Sequence, residues 1–180
     1  MTASTAPEDL WLFGYGSLIW KADFAFAERA PASIQGWERR FWQGSHDHRG
    51  TPDAPGRVVT LINQPGAQCT GMAYRIAAAE VSFVLDHLDY REKNGYERLQ
   101  VNTTLQDGRT LDALVYIATP DNFAYLGPAD DHLIATQIQT SVGPSGANRD
   151  YLIELHHALE QLGATDSHVA RRFSLVDAMT

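Results

Sequence analysis

A strand that runs directly into a glycine-rich turn is encoded by residues 10–18, LWLFGYGSL. The apolar run Leu10–Tyr15 predicts a buried strand, and Gly16–Ser17 predicts the turn that ends it. Because glycine has no side chain, such a turn lets backbone N–H groups face a ligand without obstruction. On spacing alone, a purely structural turn that happens to be rich in glycine explains these residues equally well.

This turn does not match two known glycine motifs. The dinucleotide-binding fingerprint requires a third glycine, and Ile19 occupies that position. The nucleophile elbow requires one residue between each glycine and the serine, whereas Ser17 follows Gly16 directly. The sequence therefore favours neither a nucleotide-binding protein nor a serine hydrolase.

Strand patterns dominate the first two thirds of the chain. We predict strands at residues 10–15, 34–42, 57–62, 70–76, 96–105 and 110–118. Turns are predicted at residues 63–67 and at Asp107–Gly108, where the second is a recognised hairpin signal.

Apolar residues spaced at about 3.6 predict the helices. These cover residues 78–88, 130–141, 148–162 and 167–179. Asn148 and Asp166 are expected N-caps of the last two helices. Strands followed by helices predict one α+β domain over residues 1–180, with a small bent mixed β-sheet or barrel packed with helices and a helical C-terminal half.

Composition and charge exclude several classes of protein. A net charge of −8 argues against binding to the phosphate backbone of nucleic acids. No apolar run approaches the roughly 20 residues of a membrane helix, and residues 1–9 do not form a signal peptide. Cys69 is the single cysteine, which fits a reducing compartment. We expect a cytoplasmic protein with no nucleic-acid or membrane partner; the pattern does not predict its oligomeric state.

Glu92 lies in a charged segment, residues 90–96, directly after the first predicted helix. Charged residues at such positions usually face solvent, but Tyr90 and Tyr96 at the two ends are suggestive of a pocket wall. Residue pattern alone does not distinguish Glu92 from the other acidic residues.

The polar loop at residues 46–55 carries two further candidate features. Arg49 and Arg57 flank its proline-rich part, and each is suited either to a substrate carboxylate or to a loop-fixing ion pair. Two histidines flank Asp47, but no third ligand lies at a recognised metal-binding spacing. We therefore predict no metal site.

Several blocks of sequence together resemble one family, the ChaC-like γ-glutamylcyclotransferases. The blocks run in the family's order over nearly the whole chain and comprise residues 12–20, 45–52, 55–61, 91–96, 121–128, 143–148 and 151–152.

The resemblance implies a function that periodicity does not reveal. Such enzymes cleave glutathione to 5-oxoproline and cysteinylglycine, a lyase-type reaction that uses neither a metal nor an organic cofactor, on a small mixed β-barrel with packed helices. The resemblance also implies that Glu92 is the catalytic acid/base. The substrate-binding loop maps to Tyr15, Gly16, Ser17 and Leu18. A leucine at position 18 is similar to the glutathione-specific branch, whereas the broader branch typically has asparagine there.

Two alternatives remain at this stage. One is a cyclotransferase that acts on other γ-glutamyl compounds. The other is a non-catalytic binding or regulatory module, which the presence of both Glu92 and the glycine-rich turn disfavours.

Overall fold

The computed structural model describes residues 6–93 and 95–180, and its five long strands form a closed barrel. The strands are β1 (Leu10–Gly14), β2 (Glu28–Ser45), β3 (Gly56–Ile76), β4 (Tyr96–Leu105) and β5 (Thr110–Ala118). Their order around the barrel is β1-β3-β2-β4-β5. Parallel pairing of β1 with β5, at Leu12 opposite Leu114, closes the barrel, and the other neighbouring pairs are antiparallel. Closure leaves these strands without a free sheet edge.

Within the described residues four helices complete the fold, three of them in the C-terminal part. They are α1 (Val81–Arg91), α2 (Asp131–Thr140), α3 (Asn148–Gln161) and α4 (Ser167–Asp177), with short 3-10 turns at Ser17–Ile19 and Ala78–Glu80 and a two-stranded ribbon, β6 (Val142–Gly143) and β7 (Gly146–Ala147). Helices α2, α3 and α4 pack on one another, and α2 and α3 also contact β3. Strands and helices share one hydrophobic core. The α+β prediction is confirmed.

No helix in the described ranges is long and apolar enough to cross a bilayer.

The prediction of two strands at residues 57–62 and 70–76 is wrong, because both belong to the single strand β3. Residues 63–67 form an irregularity in its pairing with β2 instead of a turn. Trp37 lies opposite Asn63 and Gln35 lies opposite Gln68, so β3 carries three more residues than β2 there. Gly36 and Gly66 both have positive φ, which L-residues with side chains rarely adopt, so each strand bends at a glycine.

Asn148 does not cap α3 as predicted, since it is the first residue of that helix. Its fully buried amide binds β3 instead: Oδ1 accepts from the Arg57 N–H at 2.8 Å, and Nδ2 donates to the Arg57 carbonyl at 2.8 Å. These two bonds fix the start of α3 on the barrel. Asp166 caps α4 as predicted, with its carboxylate accepting from the Val169 N–H at 3.0 Å.

The buried guanidinium of Arg39, on β2, ties the first strand to the last helix. It donates to the carbonyl oxygens of Tyr15 (2.7 Å) and Thr70 (2.5 Å) and forms an ion pair with Asp166 (2.5 Å). Arg39 is only 3% exposed. Because water cannot solvate this charge, its three acceptors must all be present in the folded state.

Replacing Asp166 with Asn tests this ion pair while keeping a residue that caps helices well. We expect Asp166→Asn to lower the free energy of unfolding by about 3 kcal/mol, because Arg39 then stays buried without a counter-charge. Urea denaturation measures the change. The control is Asp107→Asn, which breaks the half-exposed pair with Arg109 and should have little effect. Equal stability of the two variants would contradict a structural role for the Arg39–Asp166 pair.

Candidate active site

A cavity of about 320 Å³ opens where the turn after β1, the loop after β2, the end of α1 and the start of α3 meet. This volume is typical of small-molecule sites. Six of the seven residues expected to form the site line the cavity: Tyr15, Gly16, Ser17, Leu18, Arg49 and Glu92. The chain thus brings together residues that lie more than 70 positions apart in sequence.

Close packing explains both Gly14, the last residue of β1, and Gly16 in the turn that follows. A Cβ on Gly14 would lie 2.6 Å from the Cβ of Leu18, and one on Gly16 would lie 3.0 Å from the phenol oxygen of Tyr151. Ser17–Ile19 then form one turn of 3-10 helix. The N–H groups of Ser17 and Leu18 begin this turn and so have no partner within it, which leaves them available to a ligand.

Arg91 holds the turn against the end of α1. Its guanidinium donates to the hydroxyl of Ser17 at 2.5 Å and to the carboxylate of Asp23 at 3.0 Å. Helix α1 extends three residues beyond the predicted end at Leu88, so Arg91 is its last residue and Glu92 is its C-cap. The N–H of Glu92 donates to the Leu88 carbonyl at 2.8 Å. The catalytic candidate is therefore attached to a helix end that is itself bound to the turn.

Glu92 combines low exposure with an altered pKa. Its side chain is 18% exposed. Burial raises its pKa to about 7; the Arg91 guanidinium opposes this shift, and the negative charges of Asp47 and Asp23 add to it. A carboxyl group with this pKa can accept a proton and return it near neutral pH.

Tyrosines form much of the cavity wall. Tyr90 and Tyr96, suggested by the sequence as a pocket wall, both line it, as do Tyr15, Tyr116 and Tyr151. Burial raises the pKa of Tyr15, Tyr96, Tyr116 and Tyr151, so these phenols stay protonated at neutral pH. The phenols of the cavity wall therefore add no negative charge near Glu92.

Arg49 brings a positive charge to the other side of the cavity. Its guanidinium lies over the ring of Tyr151, 5.8 Å from the centroid, and donates to the Ala147 carbonyl at 3.1 Å. Within residues 6–93 and 95–180, no Asp or Glu forms an ion pair with Arg49. This charge is therefore available to an anionic ligand.

The family model described as "ChaC-like protein" matches residues 10–179. The chain belongs to the ChaC-like family. The family prediction is thereby confirmed.

Relatives within and beyond animals are similar over most of their length. The human protein named glutathione-specific γ-glutamylcyclotransferase 1 is 43% identical over 96% of this chain and 79% of its own. The Arabidopsis thaliana γ-glutamylcyclotransferase 2-3 is 48% identical over 89% of this chain and 84% of its own. The crystal structure of a yeast γ-glutamyl cyclotransferase specific to glutathione matches with a TM-score of 0.90, at 33% identity, and covers 95% of this chain and 96% of that one.

Arg57 is the one of the seven expected site residues that does not line the cavity of this ChaC-like chain. It is 4% exposed and is not part of the cavity lining. Its guanidinium donates to the side chain of Gln137 (2.7 Å) and to the carbonyls of Phe41 (3.0 Å) and Gly127 (2.8 Å). These bonds tie β3 to α2 and to the segment before it, so the guanidinium is occupied within the fold, and we do not retain Arg57 as a substrate-binding residue.

Sequence reasoning missed other residues of the site. The sequence pattern marks Asp47 only as a neighbour of two histidines, yet it lines the cavity and its charge raises the pKa of Glu92. The part of the chain described contains no group of three or more His, Cys, Asp or Glu residues that could hold a metal ion. Tyr151 was part of a block that resembles the family, but nothing in the helical pattern indicated that its phenol reaches the cavity.

The raised pKa of Glu92 predicts a pH-dependent effect on stability. Between its ordinary value of 4.5 and about 7, the folded protein holds this proton more tightly than the unfolded chain. Stability is therefore lost as pH rises through this window. Because glutamine carries no charge, Glu92→Gln should raise the free energy of unfolding by up to about 3 kcal/mol above pH 7, and by little below pH 4.5.

Urea denaturation at several pH values checks this expectation. Glu97→Gln is the control, since Glu97 is exposed and folding removes little of its hydration. A gain for Glu92→Gln that is the same at all pH values would contradict the desolvation of Glu92.

Proposed function

We propose that this protein is a glutathione-specific γ-glutamylcyclotransferase, which converts glutathione to 5-oxoproline and cysteinylglycine. The observation that supports it most is the position of Glu92: a largely buried carboxyl group with a pKa of about 7 shares one cavity with the glycine turn. The human relative, 43% identical over 96% of this chain, carries the name of this activity.

The reaction is an intramolecular attack. The α-amino group of the γ-glutamyl unit adds to its own γ-carbonyl carbon, and the bond to the cysteinyl nitrogen then breaks. The α-ammonium group loses two protons on the way to the lactam, and the leaving amine gains two as it departs as an ammonium ion. No water molecule is consumed. Since the nucleophile is tethered to its target, holding both in a reactive arrangement lowers the barrier substantially.

Glu92 performs the proton transfers in this proposal. As a carboxylate it removes a proton from the α-ammonium group, whose pKa is about 8 in peptides. As a carboxylic acid it then protonates the departing cysteinyl nitrogen. An ordinary glutamate is too weak a base for the first step, and desolvation in the cavity corrects this.

The turn and Arg49 bind the rest of the substrate. Glutathione carries two carboxylates, and Arg49 supplies a cavity-lining guanidinium without an ionic partner in the described chain for one of them. The N–H groups of Ser17 and Leu18 serve a negatively charged oxygen of the substrate. No step requires a metal or an organic cofactor.

We further infer that the whole chain acts as one domain in the cytoplasm on this small-molecule substrate. The common core of strands and helices supports a single domain, and the single cysteine fits a reducing compartment.

Replacing Glu92 with Gln tests the acid/base assignment directly. We expect kcat for 5-oxoproline release from glutathione to fall by at least about 10²-fold, with the fold intact by circular dichroism. In the wild type, kcat/KM should rise with pH to a plateau, through an apparent pKa of about 7, as Glu92 ionises. Glu97→Gln should behave as wild type. Near-normal 5-oxoproline release by the Glu92 variant would end the assignment.

Replacing Leu18 with Asn tests selectivity. Leu18 lines the cavity on the glycine turn, and the broader branch of the family typically has asparagine there. We expect Leu18→Asn to raise kcat/KM for γ-glutamyl-alanine relative to glutathione by about tenfold, the scale of one altered pocket contact. Leu133→Asn, on an exposed position of α2, is the matched control. An unchanged ratio in the Leu18 variant would remove this residue from the specificity argument.

A further inference from the structure

Tyr151, the fourth residue of α3, has a hydroxyl proton that the fold does not use. Its phenol oxygen accepts a hydrogen bond from the Val59 N–H at 3.3 Å, which leaves its own O–H free to donate. Among residues 6–93 and 95–180, none accepts that proton. Tyr151 is 6% exposed and lines the cavity. A donor this buried requires an acceptor, and a ligand bound in the cavity can provide one.

The phenol lies at the glycine turn. A Cβ on Gly16 would sit 3.0 Å from the Tyr151 oxygen, so only a glycine fits beside it without displacement. The O–H of Tyr151 therefore reaches the same corner of the cavity as the N–H groups at the start of the 3-10 turn. This corner of the cavity therefore holds both backbone N–H donors and a phenol donor.

The ring that carries this hydroxyl is held on three sides. Trp20 packs edge-on at 5.3 Å between centroids, Phe41 does so at 6.0 Å, and the Arg49 guanidinium lies over its face. A donor fixed before the reaction begins needs no reorganisation when charge develops, which is the property of an effective oxyanion-stabilising group.

Two other tyrosine hydroxyls of the cavity, those of Tyr15 and Tyr116, are already engaged. Tyr15 donates to the Tyr116 carbonyl at 2.6 Å, and Tyr116 donates to the Asp89 carboxylate at 2.7 Å. Neither proton is free for a substrate. Tyr151 differs from both because, among the described residues, its hydroxyl takes part in a hydrogen bond only as an acceptor.

We propose that Tyr151 is a catalytic residue whose O–H donates a hydrogen bond to the γ-carbonyl oxygen of the substrate as that oxygen becomes an oxyanion. This inference rests on the proposed function. The bond strengthens when the α-amine adds to the carbonyl carbon and weakens when the cysteinyl nitrogen leaves. No proton is transferred from the phenol. Burial and the negative charge of Glu92 raise the pKa of Tyr151 to about 12, which keeps the donor protonated.

Removing the hydroxyl alone tests the proposal. Tyr151→Phe keeps the ring contacts, and we expect kcat for 5-oxoproline release from glutathione to fall by about 10²–10³-fold while KM changes only a few-fold. Tyr125→Phe, outside the cavity lining, is the control and should retain wild-type kcat. Melting by circular dichroism is recorded for each variant, and assays are run well below the unfolding midpoint.

Two non-natural residues at position 151 separate donation from packing. 4-Fluorophenylalanine nearly matches tyrosine in size but provides no proton, so it should lose kcat as phenylalanine does, even if the Phe variant is too unstable to assay. 4-Aminophenylalanine restores an N–H donor and should recover a large part of kcat. If Tyr151 had a purely structural role, kcat would not fall in the fluorophenylalanine variant and recover in the aminophenylalanine variant.

The results distinguish this inference from the proposed function. Wild-type kcat in the phenylalanine or fluorophenylalanine variant would overturn the role of Tyr151 and leave the proposed function standing. A loss confined to KM would also overturn it, because the hydroxyl would then bind only the ground state. A wild-type protein that releases no 5-oxoproline from glutathione would overturn the proposed function, and the role of Tyr151 with it.

Discussion

The hydrogen bond from Arg39 to the carbonyl of Tyr15 is the interaction on which the site depends. In a trans peptide the C=O and the following N–H point in opposite directions. When Arg39 holds the Tyr15 carbonyl at 2.7 Å, it also sets the direction of the Gly16 N–H. The same guanidinium binds Thr70 of β3 and Asp166 at the start of α4. The orientation of the turn is thus fixed by the barrel and the last helix together.

The local sequence pattern was sufficient to predict the bounds of the short strands β4 and β5, but not those of the long strand β3. The bounds of β4 and β5 agree with the prediction because each strand ends at turn residues on both sides. In β3, residues 63–67 carry the same turn signals, yet pairing with β2 continues beyond them. A glycine with positive φ serves a bend within a strand as well as a turn between strands. Only the opposing residues of the neighbouring strand decide between the two, and these are far away in sequence.

The candidate site shows the same division between local and distant information. The turn and Glu92 were identified through resemblance to a family, since charge and spacing alone gave Glu92 no distinction. The two arginines of the proline-rich loop were equivalent in sequence, but Arg49 reaches the cavity while Arg57 binds Gln137 and two backbone carbonyls. The two arginines differ in the side chains and carbonyl groups that other elements of the fold place beside them. The spacing of residues within 46–57 cannot predict those neighbours.

The pKa of Glu92 follows from a balance between neighbours that also build the cavity. Burial alone would favour the neutral acid strongly, and the adjacent Arg91 opposes it. Arg91, however, also pairs with Asp23 and binds Ser17. The negative charge of Asp23 offsets part of the effect that Arg91 has on the pKa of Glu92. The contacts of Arg91 therefore hold the turn in place, while burial raises the pKa of Glu92 from 4.5 to about 7 against the opposing charge of Arg91. In the proposed reaction one carboxyl group must first take a proton and then give it back. A pKa near 7 makes neither step prohibitive, and Arg91, which binds the turn through Ser17, is one of the groups that set that pKa.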